Sequence, residues 1–110
     1  MRGELITIAL QGDFGKPRPA LVIQTDSFAM HPTVTVIPIT FVLHNTPLIR
    51  FTLTPSKESG LPKKSQLSID RIQTVKREKI SKPFGKITKS KLVEIDRLVA
   101  LFLGLTQGSL

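Results

Sequence analysis

The chain contains no cysteine, no tryptophan and no tyrosine. The absence of cysteine excludes disulfide bonds and every thiolate zinc site, and it favours a reducing compartment such as the cytoplasm. With only six scattered phenylalanines, the chain also lacks the aromatic surface on which RNP-type and OB-type domains stack bases. No apolar run approaches the roughly 20 residues of a membrane-spanning helix, and no basic and then apolar leader opens the sequence. We therefore expect neither a membrane anchor nor secretion.

Acidic residues are scarce, with eight against 16 lysines and arginines, so the net charge is +8. The acids do not cluster, and His31 and His44 have neither short spacing nor acidic neighbours, so we expect no metal site. A Gly-x-Ser-x-Gly elbow and a glycine-rich phosphate loop are both missing, which excludes the corresponding hydrolase and nucleotide sites. The basic excess is densest between Lys76 and Lys91. It favours a nucleic-acid partner, although spaced lysines also form simple solvated faces.

The length of 110 residues predicts one domain, 1–110, with a modest core. Alternating or continuous apolar patterns predict strands, which are Leu5–Leu10, Pro19–Thr25, Thr33–Thr40, Leu48–Thr54 and Gln66–Val75. The last segment changes period, since Leu92, Ile95 and Val99 recur at helical spacing. This predicts an amphipathic helix capped by Thr88 or Ser90 and ended at Gly104. Five or six antiparallel strands and one terminal helix describe a mainly β, partly closed barrel whose opening the helix covers.

Two polar groups flank the predicted central strands. Arg18 precedes one of them, and Thr40 ends the next one. A guanidinium can hold two phosphate oxygens at once and a hydroxyl can donate one more hydrogen bond, so the pair suggests a site for a phosphodiester. Cleavage of RNA by its own 2′-hydroxyl requires the fewest catalytic groups from a protein without metal, cofactor or thiol, because the substrate itself supplies the nucleophile. Arg18 could also simply cover the rim of the barrel with its stem.

Several short motifs occur in a defined order along nearly the whole chain. They are Arg2-Gly3-Glu4, Arg18 to Gln24 with Asp26, Pro38-Ile39-Thr40, Gly60 to Ser65, Ile72 to Val75, and Gly85-Lys86-Ile87 before the helix. In this order they resemble the MazF/PemK family of toxin endoribonucleases, whose fold is shared with the CcdB gyrase poisons.

The resemblance implies a homodimer of small SH3-like antiparallel β-barrels, each with a C-terminal amphipathic α-helix, that cuts single-stranded RNA without metal or cofactor. It implies as well a small antitoxin whose disordered tail occupies the RNA groove. The family's catalytic arginine and threonine match Arg18 and Thr40, and Asp70 matches an acidic position that is a possible catalytic or RNA-binding residue. We assign five further residues to RNA binding: Asp13, Lys16, Gln24, Ser68 and Arg71. The loop Gln11–Pro17 is expected to flank the groove and help to choose bases.

The chain departs from the family pattern at three places. Its first loop is shorter and lacks the usual Glu-Gln pair, Phe41 stands where a small hydroxyl residue is usual, and Arg71 and Gln73 exchange places relative to the family. Because residues two apart share a face of a strand, Arg71 is expected to keep a cation on that surface. The cleavage sequence stays open. Alternative functions are a gyrase poison of the same fold, acting through its terminal helix, and a non-catalytic RNA-binding module, but neither explains the Arg18 and Thr40 pair.

Overall fold

The computed structural model describes residues 1–9 and 16–107. Within these residues the strands are β1 (Glu4–Ile8), β2 (Arg18–Val22), β3 (Thr33–Thr40), β4 (Arg50–Leu53), β5 (Ser65–Ser68), β6 (Gln73–Lys76) and β7 (Gly85–Lys86), and the helix is α1 (Lys89–Phe102). Three short 3₁₀ turns cover Asp26–Phe28, Ile69–Arg71 and Arg77–Lys79. No helix among them is long and apolar enough to cross a membrane.

The strands form one curled antiparallel sheet in the order β4-β5-β3-β2-β1-β7, and β6 pairs with the first half of β3. The expected mainly β fold with a C-terminal helix is therefore confirmed. The described residues contain seven strands rather than five or six. The difference has two causes. The two-residue β7 is too short to show an alternating pattern, and the segment expected to form a single strand, Gln66–Val75, is divided between β5 and β6.

The central strand β2 is buried on both faces, as its continuous apolar run predicted. Ala20, Leu21 and Val22 are at most 1% exposed. Two apolar clusters result from the alternation of side chains across the sheet. The helix-side cluster consists of Leu5, Leu21, Ile37, Ile39, Leu53, Leu61, Leu67, Ile69 and Ile95. The second cluster, on the opposite face, consists of Ile6, Ile8, Ala20, Val22, Val34, Val36 and Val75.

Helix α1 closes the helix-side cluster through its apolar stripe. Ile95 is fully buried, and Leu92, Leu98 and Val99 pack against the same cluster. The Thr88 hydroxyl accepts a hydrogen bond from the backbone N–H of Lys91 at 3.4 Å, which satisfies one of the donors left over at a helix start. Gly104 follows the helix with φ of +74°, the left-handed conformation that ends it. Both predicted ends of the helix are therefore confirmed.

The expectation of one strand over Gln66–Val75 is wrong. β3 pairs with β6 in one register, with Val34 opposite Val75, and with β5 in another, with Ile39 opposite Leu67. The two registers are displaced by three residues, and the 3₁₀ turn Ile69–Arg71 takes up this displacement. The displacement is odd, so it exchanges the two faces: Leu67 belongs to the helix-side cluster and Val75 to the second cluster. Both are apolar and an even number of residues apart, so the sequence pattern read as one strand.

Two glycines of the ordered motifs allow the loop between β4 and β5 to lie directly on β7. A Cβ at Gly85 would lie 2.0 Å from the carbonyl oxygen of Ser59, and a Cβ at Gly60 would lie 2.6 Å from that of Phe84. Gly60 also has φ of +66°, which other residues rarely adopt. The backbones can approach this closely only because neither glycine has a side chain.

We predict that Gly85→Ala destabilises the fold strongly, because its Cβ meets backbone that cannot rotate away. The expected loss of unfolding free energy is about 2 to 3 kcal/mol, measured by urea denaturation. Gly104→Ala is the matched control: no atom lies within 4 Å of its Cβ, so only the left-handed conformation is penalised. That penalty is about 1 kcal/mol. Equal losses in the two variants would contradict the close approach.

Candidate active site

The register between β2 and β3 brings Arg18 and Thr40 together. Ala20 lies opposite Pro38 and Leu21 opposite Ile37. Continued by two residues, the same antiparallel register would align Arg18 with Thr40. Both residues line the same cavity. The two predicted catalytic residues thus line one cavity, although 22 positions separate them in the sequence.

The same face of the sheet changes from apolar to polar at this end. Val22 and Ala20 belong to the second cluster, and Arg18 is the next residue of β2 on that face. On β1, Ile8 lies opposite Arg18 and ends the apolar row. The polar groups of the site therefore lie at the end of the second cluster, on the same face of the sheet.

A cavity of about 540 Å³ opens at this end of the face. Its lining includes five of the residues expected at the site: Lys16, Arg18, Thr40, Ser68 and Arg71. The rest of the lining is apolar and comes from Ile8, the three prolines 17, 19 and 38, Ile39, Phe41 and Val42. Three cationic side chains and two hydroxyls over an apolar floor suit a polyanion that carries sugars and bases.

The Thr40 hydroxyl is held in place by the chain that follows it. Its Oγ1 accepts a hydrogen bond from the backbone N–H of Val42 at 3.1 Å, which stabilises the bend after β3. A threonine hydroxyl can accept through its lone pairs and still donate its proton. Thr40 is therefore an oriented donor at the mouth of the cavity, and the bend brings Phe41 and Val42 into the lining beside it.

The 3₁₀ turn between β5 and β6 supplies Ser68 and Arg71. Ser68 ends β5 and is 4% exposed, whereas Arg71 ends the turn and is exposed. The displaced registers bring both residues to the side of β3 where the cavity opens. The sequence argument for Arg71 rested on strand alternation with Gln73 and does not apply, because Arg71 lies in the turn. Its position in the lining follows from the turn instead.

Gln24 lies outside the cavity lining and has a different set of partners. Its Nε2 donates to the carbonyl oxygens of Phe28 and Thr33, both at 3.2 Å, and its Oε1 accepts from the backbone N–H of Thr35 at 3.1 Å. These bonds tie the loop between β2 and β3 to the start of β3. The side chain is thus engaged in closing this loop.

Asp70 also lies outside the cavity lining. It forms an ion pair with Nη1 of Arg50, which also donates to the carbonyl oxygen of Ile49 at 3.0 Å. The Arg50 side chain is 9% exposed and that of Asp70 is 29% exposed. Asp70 therefore neutralises a nearly buried guanidinium. Asp13, the remaining expected RNA-binding residue, falls outside the described residues, as does the loop around it up to residue 15.

Both histidines lie between strands and away from the cavity. The His31 ring nitrogen Nδ1 accepts from the backbone N–H of Thr33 at 3.2 Å, and the His44 backbone bonds to both ends of the Gln66 amide. Over residues 1–9 and 16–107, no three side chains of metal-ligating type lie together.

Phe41 is the site residue whose role the sequence analysis missed. It lines the cavity, its side chain is 37% exposed, and Nζ of Lys63 lies 5.0 Å from its ring centroid. The sequence analysis treated this position only as the loss of a hydroxyl. The signal that could have identified it is an aromatic ring placed directly after the candidate catalytic threonine.

Comparison with known proteins agrees with this fold. The model of the PemK-like, MazF-like toxins of type II toxin-antitoxin systems matches residues 1–103. A probable endoribonuclease MazF from Mycolicibacterium smegmatis is 38% identical over 105 residues, which cover 94% of this chain and 96% of the relative.

Solved structures share the fold at lower identity. The Mycobacterium tuberculosis toxin MazF-mt6 superposes with a TM-score of 0.77 at 24% identity, covering 92% of this chain and 97% of that one. A mycobacterial endoribonuclease in complex with its cognate antitoxin gives 0.80 at 20% identity, with 98% of each chain covered. The family match and the relative at 38% identity both extend over nearly the whole chain, so this protein belongs to the PemK-like, MazF-like toxins of type II toxin-antitoxin systems.

Proposed function

We propose that this toxin is a metal-independent endoribonuclease that cleaves single-stranded RNA by attack of the RNA's own 2′-hydroxyl. The observation that carries the proposal is that Arg18 and Thr40 line one cavity together with Lys16 and Arg71. The name of the M. smegmatis relative, a probable endoribonuclease, supports the same activity. A gyrase poison acting through the terminal helix would leave this arrangement without a use.

In the proposed reaction the 2′-oxygen of the substrate attacks the adjacent phosphorus and the 5′-oxygen of the next nucleotide leaves. The bond from phosphorus to the 2′-oxygen forms as the bond to the 5′-oxygen breaks. The 2′-hydroxyl loses its proton to water and the leaving 5′-oxygen gains one, which yields a 2′,3′-cyclic phosphate and a 5′-hydroxyl. Arg18 stabilises the extra negative charge of the phosphorane and assists the proton transfer to the leaving oxygen. Thr40 donates a hydrogen bond from its hydroxyl to a non-bridging phosphate oxygen.

The other polar residues of the cavity hold the flanking RNA. Lys16 and Arg71 contact phosphates, and Ser68 donates or accepts one hydrogen bond at the cavity wall. For Asp13 a base contact remains a prediction from sequence. We propose structural roles for Gln24 and Asp70, because their hydrogen bonds and ion pair are already made within the protein.

We propose two protein partners. The first is a cognate antitoxin whose disordered tail occupies the cavity, as mycobacterial and Deinococcus radiodurans toxins of this fold have been solved in complexes with antitoxins. The second is another copy of the chain, because Leu48, Ile49, Leu101 and Phe102 line an apolar cavity on the surface. Leu48 and Phe102 are 54% and 47% exposed, which is costly unless a partner covers them. We propose a cytoplasmic location, because an RNA substrate and an antitoxin would both be met there.

We predict that Arg18→Ala lowers the cleavage rate of single-stranded RNA by about 10²-fold to 10³-fold or more, as expected when one preorganised donor is lost. Thr40→Val, which removes only the hydroxyl, should lose a comparable factor, whereas Thr40→Ser should keep most of the activity. Rates are measured in excess EDTA on a long RNA. Arg97→Ala, on helix α1 and outside the cavity lining, is the matched control. Cleavage that persists in Arg18→Ala, or that stops when EDTA is added to the wild type, contradicts the proposal.

We predict that Arg71→Gln lowers the salt dependence of RNA binding. If Arg71 neutralises one phosphate, the slope of log affinity against log salt concentration falls by about 0.7 for a single strand. Binding is measured with a 2′-O-methylated RNA, which cannot be cut, over a range of salt concentrations. Arg97→Gln should leave the slope unchanged. An unchanged slope in Arg71→Gln would remove Arg71 from the proposed RNA surface.

We predict that Asp70→Asn acts on stability rather than on catalysis. Removing one partner of a buried ion pair leaves the other charge uncompensated. We expect the free energy of unfolding to fall by about 3 kcal/mol, the lower end of the usual range, because Asp70 is partly exposed. Urea denaturation should show the loss, and the double variant Arg50→Met with Asp70→Asn should recover much of it. The cleavage rate of Asp70→Asn, measured well below its melting temperature, should stay within a few-fold of wild type. A loss as large as that of Arg18→Ala would show that Asp70 is catalytic after all.

A further inference from the structure

Phe41 is an aromatic side chain held next to the proposed catalytic threonine. Among the phenylalanines in the part of the chain that the structure describes, it is the one that lines the active-site cavity. It follows Thr40 directly, at the bend that the Thr40 hydroxyl stabilises. The position of the ring is therefore coupled to that of the hydroxyl.

The ring of Phe41 is not core packing. It belongs to neither apolar cluster, and 37% of the residue is exposed, whereas Phe51 packs against the helix-side cluster. An exposed phenylalanine inside a cavity lined by cations gains little from its surroundings in the absence of a ligand. Its location suits an apolar, planar ligand group that enters together with a phosphate.

Lys63 adds a second feature to this ring. Its ammonium nitrogen lies 5.0 Å from the ring centroid, within the range of a cation–π contact. The contact orients the ring from one side and brings a positive charge close to the cavity. A polyanion that stacks an aromatic group on the Phe41 ring would therefore also lie close to the positive charge of Lys63.

We propose that Phe41 is the stacking platform for an unpaired RNA base next to the cleaved phosphate, with Lys63 orienting the ring. The inference rests on the proposed function, since it assigns a base position within the same site. Every base has a π face, so such a platform contributes affinity with little choice among bases. The chain has neither tryptophan nor tyrosine, so phenylalanine is the aromatic side chain available for such a platform.

The test measures binding rather than cleavage, so it stands apart from the test of catalysis. Short 2′-O-methylated single strands are used, one intact and one with its central nucleotides made abasic. Their dissociation constants are measured for wild type, Phe41→Leu, Phe41→Trp and Phe28→Leu. Phe28 is the matched control, because it is 57% exposed and lies in the 3₁₀ turn Asp26–Phe28, outside the cavity lining. Melting temperatures confirm that each variant is folded.

We expect Phe41→Leu to weaken binding of the intact strand by about 10-fold to 100-fold, the usual range for loss of one stacked base. The abasic strand should bind the wild type about as weakly, and Phe41→Leu should not weaken it further, because the lost contact is the same. Phe41→Trp should restore binding, and Phe28→Leu should not affect it.

Equal weakening of the intact and abasic strands by Phe41→Leu would overturn the inference, because the ring would then act without a base. Unchanged binding of both strands would also overturn it and would point to a protein partner for the exposed ring. Failure of the wild type to cleave RNA would overturn the proposed reaction while leaving the binding result readable.

Discussion

Strand β3 hydrogen-bonds to β2 along one edge and to both β6 and β5 along the other, in registers that differ by three residues. The rest of the molecule depends on this double pairing. The ladder with β2 aligns the apolar rows of the two clusters, and Arg18 and Thr40 follow at one end of it, where both line the cavity. The displacement on the other edge forces the 3₁₀ turn that delivers Ser68 and Arg71. One strand therefore joins the core, the proposed catalytic pair and the proposed RNA contacts.

The positive charge of the cavity depends on where the few acids lie. Asp70 pairs with Arg50, Asp96 pairs with Arg2, and Glu4 and Asp26 both contact the ammonium of Met1. The backbone N–H of Arg2, donating to Asp26, holds the pKa of that carboxyl below its usual value. These acids serve ion pairs outside the cavity lining. Among the described residues, the cavity lining contains Lys16, Arg18 and Arg71 and no acidic side chain, and the field of three cations favours a polyanionic ligand.

The sequence anticipated the positions of individual site residues to different degrees, according to how much long-range structure each position needed. Arg18 and Thr40 flank buried strands, and antiparallel pairing of neighbouring strands is the common arrangement, so their approach could be anticipated. Gln24 and Asp70 were assigned by motif position, but their side chains bond to groups within the protein. Arg71 lines the cavity for a reason other than strand alternation. Phe41 was seen as a missing hydroxyl, because no sequence pattern shows that the bend after Thr40 turns its ring into the cavity.

The sequence by itself determined the alternation of apolar and polar residues, and with it the strands, the terminal helix, its cap at Thr88 and its end at Gly104. These features are local, because each depends on residues within one or two turns or strand repeats. Only the tertiary structure decided which strand pairs with which, and in what register. Two alternating segments can pair in several registers with similar local energy, and the choice is made by burying both faces of the sheet at once. That choice placed a guanidinium, a hydroxyl and a phenyl ring around one cavity.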